Sequence, residues 1–286
     1  GVQPTTQGGF MTLLESLFAI DTLNLLALFG VVFIGLHHGA MDGALAVHFG
    51  WMGRPAKAAV FLLAYVGLAA LVVAAWAVAP VLSFIAFLAI STYHFGRGDA
   101  TSSIVGRGTV ESVARGGVVI GGISQFHRAE ANEVFLTIVG ADTTGVWFFL
   151  DALVVLAAAC IVETLLFKQQ QERTMFGLEI GALSLLFMAV PPLVGFAVYF
   201  CFVHSFRHFS SMRSVLQSTV SSVRITQTTV VFSLLTWAFG LVVLAQQSAS
   251  IGVEPALLKV VFIGLAALTV PHMLLVDGVL NQHGPR

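Results

Sequence analysis

The sequence predicts an all-α, polytopic transmembrane helical bundle of about eight or nine helices with a buried, histidine-rich metal site. Of its 286 residues, 57% are hydrophobic and only 9% are charged, and a bilayer core takes about 20 apolar residues per helix. The chain therefore leaves no room for a sizeable soluble domain. We expect an N-terminal extension at 1–22, with an interfacial helix at 10–20, followed by a single transmembrane catalytic domain at 23–286. Five of the nine histidines fall in these apolar segments: His38, His94, His204, His208 and His272.

Nine apolar segments predict the membrane helices. They cover residues 23–49, 57–79, 81–95, 111–126, 145–167, 176–190, 193–209, 226–246 and 256–280. Two joints are very short, at Pro80 and at Pro191 and Pro192, because proline suits the first turn of a helix and interrupts the helix before it. The segment 111–126 is rich in glycine, which favours close packing inside the bundle, and without it the count is eight. Residues 131–139 are expected at the interface.

Basic residues predict how the chain is oriented in the membrane. Eight Lys and Arg residues fall in four alternate connections between the predicted helices, and two fall in the other connections. In a cell inner (plasma) membrane, the positive-inside rule therefore places the N-terminus outside and the C-terminus in the cytoplasm. At about 1.5 Å per residue, the five histidines then lie roughly 17 to 24 Å from the outer surface. They share one level in the inner half of the bilayer. With a net charge of -1 and no basic run, the chain is not expected to bind nucleic acid.

A shared depth favours one metal site. His204 and His208 are spaced i and i+4 in FVHSFRHF, which puts both rings on one face of a helix. Together with His38 and His94 they form the predicted metal ligands, and neutral imidazole suits Fe, Zn and Cu. The alternative is a pair of polar residues satisfied at a helix end. His37 points about 100° away from its neighbour, so we favour His38 as the ligand and assign His37 to packing or to supporting a ligand.

Other polar residues near this level are candidates for supporting roles. Asp42 follows His38 by four residues, and a ligating histidine usually donates its second ring N–H to a carboxylate or a backbone carbonyl. His272 is a candidate fifth ligand, an alternate ligand or a residue that positions substrate. Tyr93 and Tyr199 are candidates for shaping a tunnel or for bonding to a bound oxygen species.

Apolar residues flank the candidate ligands in sequence. Phe95, Phe202, Phe206 and Met273 are therefore candidate walls of a substrate tunnel, since aromatic and methionine side chains suit an adaptable apolar pocket. The alternative for each one is ordinary helix packing or lipid contact.

Four sequence blocks, IGLHHGAMDG, STYHFGRGD, FCFVHSFRHF and VPHMLLVD, resemble those of the Brp/Blh membrane β-carotene 15,15'-dioxygenases. The resemblance spans most of the chain in the family's order. It implies a non-haem Fe(2+) enzyme that cleaves the central 15,15' double bond of β-carotene with O2 to give two retinal molecules. It also implies iron ligation by His38, His94, His204 and His208, a membrane-lipid setting and a functional association with a microbial rhodopsin.

Other functions remain open at this stage. A membrane transporter or proton channel lined by His and Asp would use similar residues, but at several depths along a path. Another metal-dependent membrane lipid oxidase or desaturase would need more histidine boxes than the single HxxxH in this chain. A retinal-binding photoreceptor needs a lysine in mid-helix, and Lys57, Lys168 and Lys259 all fall near predicted helix ends.

Overall fold

A computed structural model describes residues 21–35, 39–100 and 107–276. Every regular element in these ranges is helical and none is a strand, so the predicted all-α bundle is confirmed. The α-helices are α1 (Thr22–Phe33), α2 (Asp42–His48), α3 (Pro55–Val78), α4 (Pro80–Asp99), α5 (Arg107–Gln125), α6 (Arg128–Val139), α7 (Thr144–Phe167), α8 (Gln170–Ala189), α9 (Pro192–Val198), α10 (Ser205–Leu216), α11 (Ser222–Ile251) and α12 (Val253–Met273). The N-terminal extension, including the interfacial helix expected at 10–20, lies outside the described residues.

Four of the described helices are long and apolar enough to cross a membrane: α3, α7, α11 and α12. Large apolar side chains on them face outward, such as Leu63, Phe148 and Phe239, which are 73%, 78% and 72% exposed. A water-facing helix would place polar residues at such positions. The outer surface of the bundle therefore suits lipid.

The proline joints have the predicted form. Pro80 lies in the first turn of α4 and Pro192 in the first turn of α9. Hydropathy located the remaining spans but not their ends: α8 begins six residues before the segment predicted at 176–190, and α11 extends the one predicted at 226–246 at both ends. Helices continue beyond the apolar stretch because polar residues are also helix formers. The helix predicted at 131–139 is present as part of α6.

Helix α5 is an inner helix of the bundle, as its glycines predicted. A Cβ atom on Gly96 of α4 would lie 1.7 Å from the carbonyl oxygen of Ser112 in α5. Likewise, a Cβ atom on Gly116 would lie 1.7 Å from the carbonyl oxygen of Thr92. The two backbones approach so closely at these points that only glycine fits, which is how small residues bring membrane helices together.

The first predicted span, 23–49, is wrong as one continuous helix. Helix α1 ends at Phe33, and the chain resumes with a 3-10 turn at Gly39–Met41 and then α2. Helix ends leave backbone carbonyls without their usual partners, and side chains from elsewhere bind two of them here. Trp237 donates its indole N–H to the Val32 carbonyl at 3.0 Å, and the Ser205 hydroxyl lies 3.5 Å from the Gly35 carbonyl.

The segment predicted at 193–209 contains an irregularity that the sequence did not reveal. Between α9 and α10 the chain forms a wide, π-helical turn at Tyr199–His204. Such turns are rare, and they occur often at functional sites. This one rotates the residues that follow it, and it ends on a candidate ligand.

Two apolar clusters fill the described interior. The larger includes Phe95, Tyr199 and Phe200, and the smaller joins α2, α10 and the end of α12 through residues such as Met41 and Met212. His94 directly precedes Phe95 of the larger cluster, and His272 lies three residues before Leu275 of the smaller one. Both clusters therefore border the histidines along the chain.

Candidate metal centre

Four of the predicted intramembrane histidines gather at one place. The end of α4 contributes His94, and the end of α12 contributes His272. The wide turn and α10 contribute His204 and His208. The ring centroids are 4.9 Å apart for His94 and His204, 5.3 Å for His94 and His272, 5.0 Å for His208 and His272, and 6.4 Å for His94 and His208. The shared depth expected from the sequence corresponds to spatial proximity.

The HxxxH pair has the geometry that its spacing predicted. The rings of His204 and His208 lie one above the other, with centroids 6.2 Å apart and planes inclined by 20°. His204 is buried, and His208 is half-buried. Phe95 packs edge-on against His204, with ring centroids 4.7 Å apart. Aromatic packing thus limits the rotation of the His204 ring.

His272 is held by a buried carboxylate. Its Nδ1 lies 2.8 Å from one oxygen of Asp42, and the Tyr65 hydroxyl donates to the other oxygen, also at 2.8 Å. Asp42 is fully buried. A proton on Nδ1 of His272 leaves Nε2 as the lone-pair nitrogen, the tautomer that a metal ligand requires. His38, the histidine that precedes Asp42 by four residues, lies outside the described residues, and within them the histidine that Asp42 contacts is His272, 230 positions along the chain.

The donor set fits a borderline transition metal. With a metal–nitrogen bond of about 2.1 Å, two imidazoles on one ion have centroids about 4.5 to 6.4 Å apart, and the observed separations fall in that range. Nε2 of His94 is buried and has no hydrogen-bond partner among the described residues. Within those residues no three His, Cys, Asp or Glu side chains are already placed to hold an ion. His38 and its neighbour His37 lie outside the described part of the chain.

A chain of paired charges, buried or half-buried except for the exposed Arg207, lies beside this cluster on the side of α5 and α8. Tyr199 donates to Asp99 at 2.8 Å, and its ring stacks near that of His204. Asp99 also pairs with Arg207, which lies between the two histidines of the HxxxH motif. The remaining ion pairs are Arg207–Glu179 at 2.6 Å, Arg115–Glu179 at 2.7 Å, Arg115–Glu111 at 2.9 Å and Lys168–Glu111 at 3.0 Å. Glu172 also pairs with Lys168, at 3.7 Å, so each charge in the chain has an opposite partner, which offsets the cost of removing the buried ones from water.

The other sequence candidates separate into those at the site and those away from it. Tyr199 is fully buried in the charge chain, whereas Tyr93 is 39% exposed and lines no part of the cavity described below. Of the candidate walls, Phe95 lines that cavity. Phe202 and Phe206 are 66% and 68% exposed and line no part of it. The wide turn directs them outward.

Met273 also lines no part of the cavity, although its neighbour His272 does. Adjacent residues on a helix point about 100° apart, so only one of the two faces inward. Met273 therefore lies outside the lining of this cavity.

The cavity beside the cluster is partly open, with an empty volume of about 710 Å³ that includes its mouth. His94 and His272 line it together with four hydroxyl-bearing residues, Tyr65, Ser91, Thr236 and Thr269. Most of the remaining lining is hydrocarbon, as in Phe87, Phe200 and Leu265. A concave, mainly apolar space with a few convergent polar groups is the usual form of a small-molecule site.

Comparison with known proteins identifies the family. The family model described as beta-carotene 15,15'-dioxygenase matches residues 29–279, a range that contains all five candidate histidines. The chain belongs to the β-carotene 15,15'-dioxygenase family. A β-carotene 15,15'-dioxygenase from uncultured marine bacterium 66A03 is 34% identical over 260 residues, which cover 90% of this chain and 94% of that protein. No solved structure matches the chain.

Proposed function

We propose that the protein is a non-haem iron(II) dioxygenase that cleaves the central 15,15' double bond of β-carotene with O2 and releases two retinal molecules. The observation that carries this proposal is the histidine cluster beside a mainly apolar cavity, in a member of this family. A hydrocarbon substrate dissolves in the bilayer and needs a site that it can reach without crossing water. A cavity among membrane helices meets that need.

The proposed iron ligands are His38, His94, His204 and His208, as the resemblance implies, and we add His272. Its support is the carboxylate on Nδ1, since a ligating histidine usually has such a partner. Bound iron would supply the centre at which O2 is activated. Imidazole nitrogen is a suitable donor for this metal.

The protein's own residues have separate tasks. Asp42 holds the proton on Nδ1 of His272, and Tyr65 fixes the orientation of the Asp42 carboxylate. Phe95 restrains the ring of His204 and forms part of the cavity wall. The mainly apolar lining limits the access of water to the reacting double bond.

The proposal places this site in the inner half of a cell inner membrane, with the N-terminus outside and the C-terminus in the cytoplasm. The product would then be released into the lipid, where a microbial rhodopsin can take it up. Cysteine accessibility labelling at Arg54→Cys and Arg128→Cys tests the orientation. We expect only the second position to be labelled from outside intact cells.

Purified protein in detergent tests the chemistry directly. Iron-loaded protein incubated with β-carotene and O2 should form two retinal molecules per β-carotene consumed. Alanine at any of the five proposed ligands should lower both bound iron and turnover. His127→Ala is the matched control, since this histidine lies outside the cluster, near Glu130, and the variant should keep both. Iron-loaded wild-type protein that forms no retinal would refute the proposed function.

A further inference from the structure

A second cavity lies beside the one at the histidines. Its empty volume is about 550 Å³ with its open mouth included, and it shares four lining residues with the first: Phe87, Ser91, Phe95 and Phe196. Three of these residues are spaced i, i+4 and i+8 on one face of α4, and Phe196 stacks on Phe200 with ring centroids 5.3 Å apart. One row of side chains therefore borders both spaces.

The second cavity leads away from the metal centre. Along α4 it runs from Phe95 back to Phe84, a distance of about 16 Å at 1.5 Å per residue. Its far walls come from α5 and α6, through residues such as Ile123, Val134 and Phe135. We call this space the α6 chamber.

The lining of the α6 chamber identifies the chemistry of its occupant. Of the described side chains around it, only Ser91 and Ser124 carry polar atoms. The Ser124 hydroxyl already donates to the Ile120 carbonyl at 2.8 Å. A ligand group that needed hydrogen bonds would lose them on entering this space. The chamber suits a pure hydrocarbon.

We propose that the α6 chamber holds one ring-bearing end of the polyene while its central double bond lies beside the histidines. The inference rests on the proposed function and deepens it. The depth of the chamber fixes how far one end of the substrate lies from the metal, and so determines which double bond is cleaved. Its apolar walls also favour rings without hydroxyl groups, although an apolar pocket rejects an added hydroxyl by only about a hundredfold.

Filling the chamber tests the proposal. Val134→Phe from α6 and Ile123→Phe from α5 both add bulk to it, and both residues are half-buried, so some movement can absorb the change. Leu136→Phe is the matched control, because it makes the same kind of change on the exposed face of α6. Two substrates are compared: β-carotene, and a shortened polyene aldehyde that has a ring at one end only. The end of this substrate that has no ring is thin enough to enter a chamber narrowed by the added phenylalanine.

We expect kcat/KM for β-carotene to fall by about tenfold or more in each chamber variant, the effect of a poorly fitting group in an apolar pocket. The shortened substrate should be cleaved within about threefold of the wild-type rate, with bound iron unchanged. If the chamber variants leave the ratio of the two kcat/KM values unchanged, either because neither value falls or because both fall equally, the chamber proposal is overturned. The proposed function fails separately, if wild-type protein forms no retinal from β-carotene.

Discussion

Replacing Asp42 by Asn should weaken iron binding without removing the fold. The amide nearly preserves the shape of a fully buried side chain that has two contacts at 2.8 Å, with His272 and with the Tyr65 hydroxyl. It removes the negative charge that fixes the proton on Nδ1 of His272. Hydrogen bonds to a charged group contribute about 1.5 to 3 kcal/mol, and about 1.4 kcal/mol corresponds to a factor of ten in affinity. This energy agrees with the roughly 10- to 100-fold loss of metal affinity seen when such supporting partners are removed.

The assay is competition between the protein and a chelator of known affinity, with bound iron measured per chain. Asp42→Asn should bind iron about 10- to 100-fold more weakly. Tyr65→Phe keeps the carboxylate but removes the hydrogen bond that orients it, so it should bind iron more weakly than wild type and more tightly than Asp42→Asn. Thermal unfolding in detergent checks that both variants are folded. Wild-type iron affinity in a folded Asp42→Asn variant would refute the argument that this carboxylate orients a ligand.

Three further predictions follow from packing, charge and metal. Gly96→Ala should prevent normal packing of α4 against α5, because its Cβ atom would lie 1.7 Å from a backbone oxygen. Gly181→Ala is the control, since its Cβ atom would meet nothing within 4 Å. The melting temperature in detergent should be lower for Gly96→Ala, and equal melting temperatures would contradict the close approach. Arg115→Ala should lower the free energy of unfolding by about 1.5 to 3 kcal/mol, the contribution of hydrogen bonds to charged groups, because Glu111 keeps Lys168 and Glu179 keeps Arg207 as partners. Arg128→Ala, at an exposed pair, should change it little, and equal losses in the two variants would count against the charge chain. Chelation should abolish retinal formation and added Fe(II) should restore it; full activity in iron-free protein would refute metal dependence.

Sequence reasoning succeeded where a feature depends on local spacing or on composition. The i and i+4 spacing of His204 and His208 is maintained across the end of the wide turn, because that turn ends before His208. His94 and His272 could be grouped with them because residues counted from the expected membrane surface, at a fixed rise per residue, give them a similar depth. The glycines of α5 predicted an inner helix, since close packing against other helices requires small residues and lipid contact does not.

The missed features depend on partners far along the chain. The end of α1 depends on Trp237 and Ser205, which bind carbonyls more than 160 positions away. Arg115 and Glu179 are 64 positions apart, so hydropathy indicated only that charges were present in or near apolar segments. The outward direction of Phe202 and Phe206 follows from the wide turn, which local sequence does not specify.

The most direct test of the central claim is X-ray absorption at the iron edge on anaerobic, iron-loaded protein. We expect a shell of nitrogen and oxygen atoms alone, with the scattering pattern of four or more imidazoles at about 2.1 Å. His272→Ala should lose one imidazole from that pattern, and His127→Ala none. A spectrum dominated by oxygen or sulfur ligands, or unchanged by removal of the cluster histidines, would contradict the account.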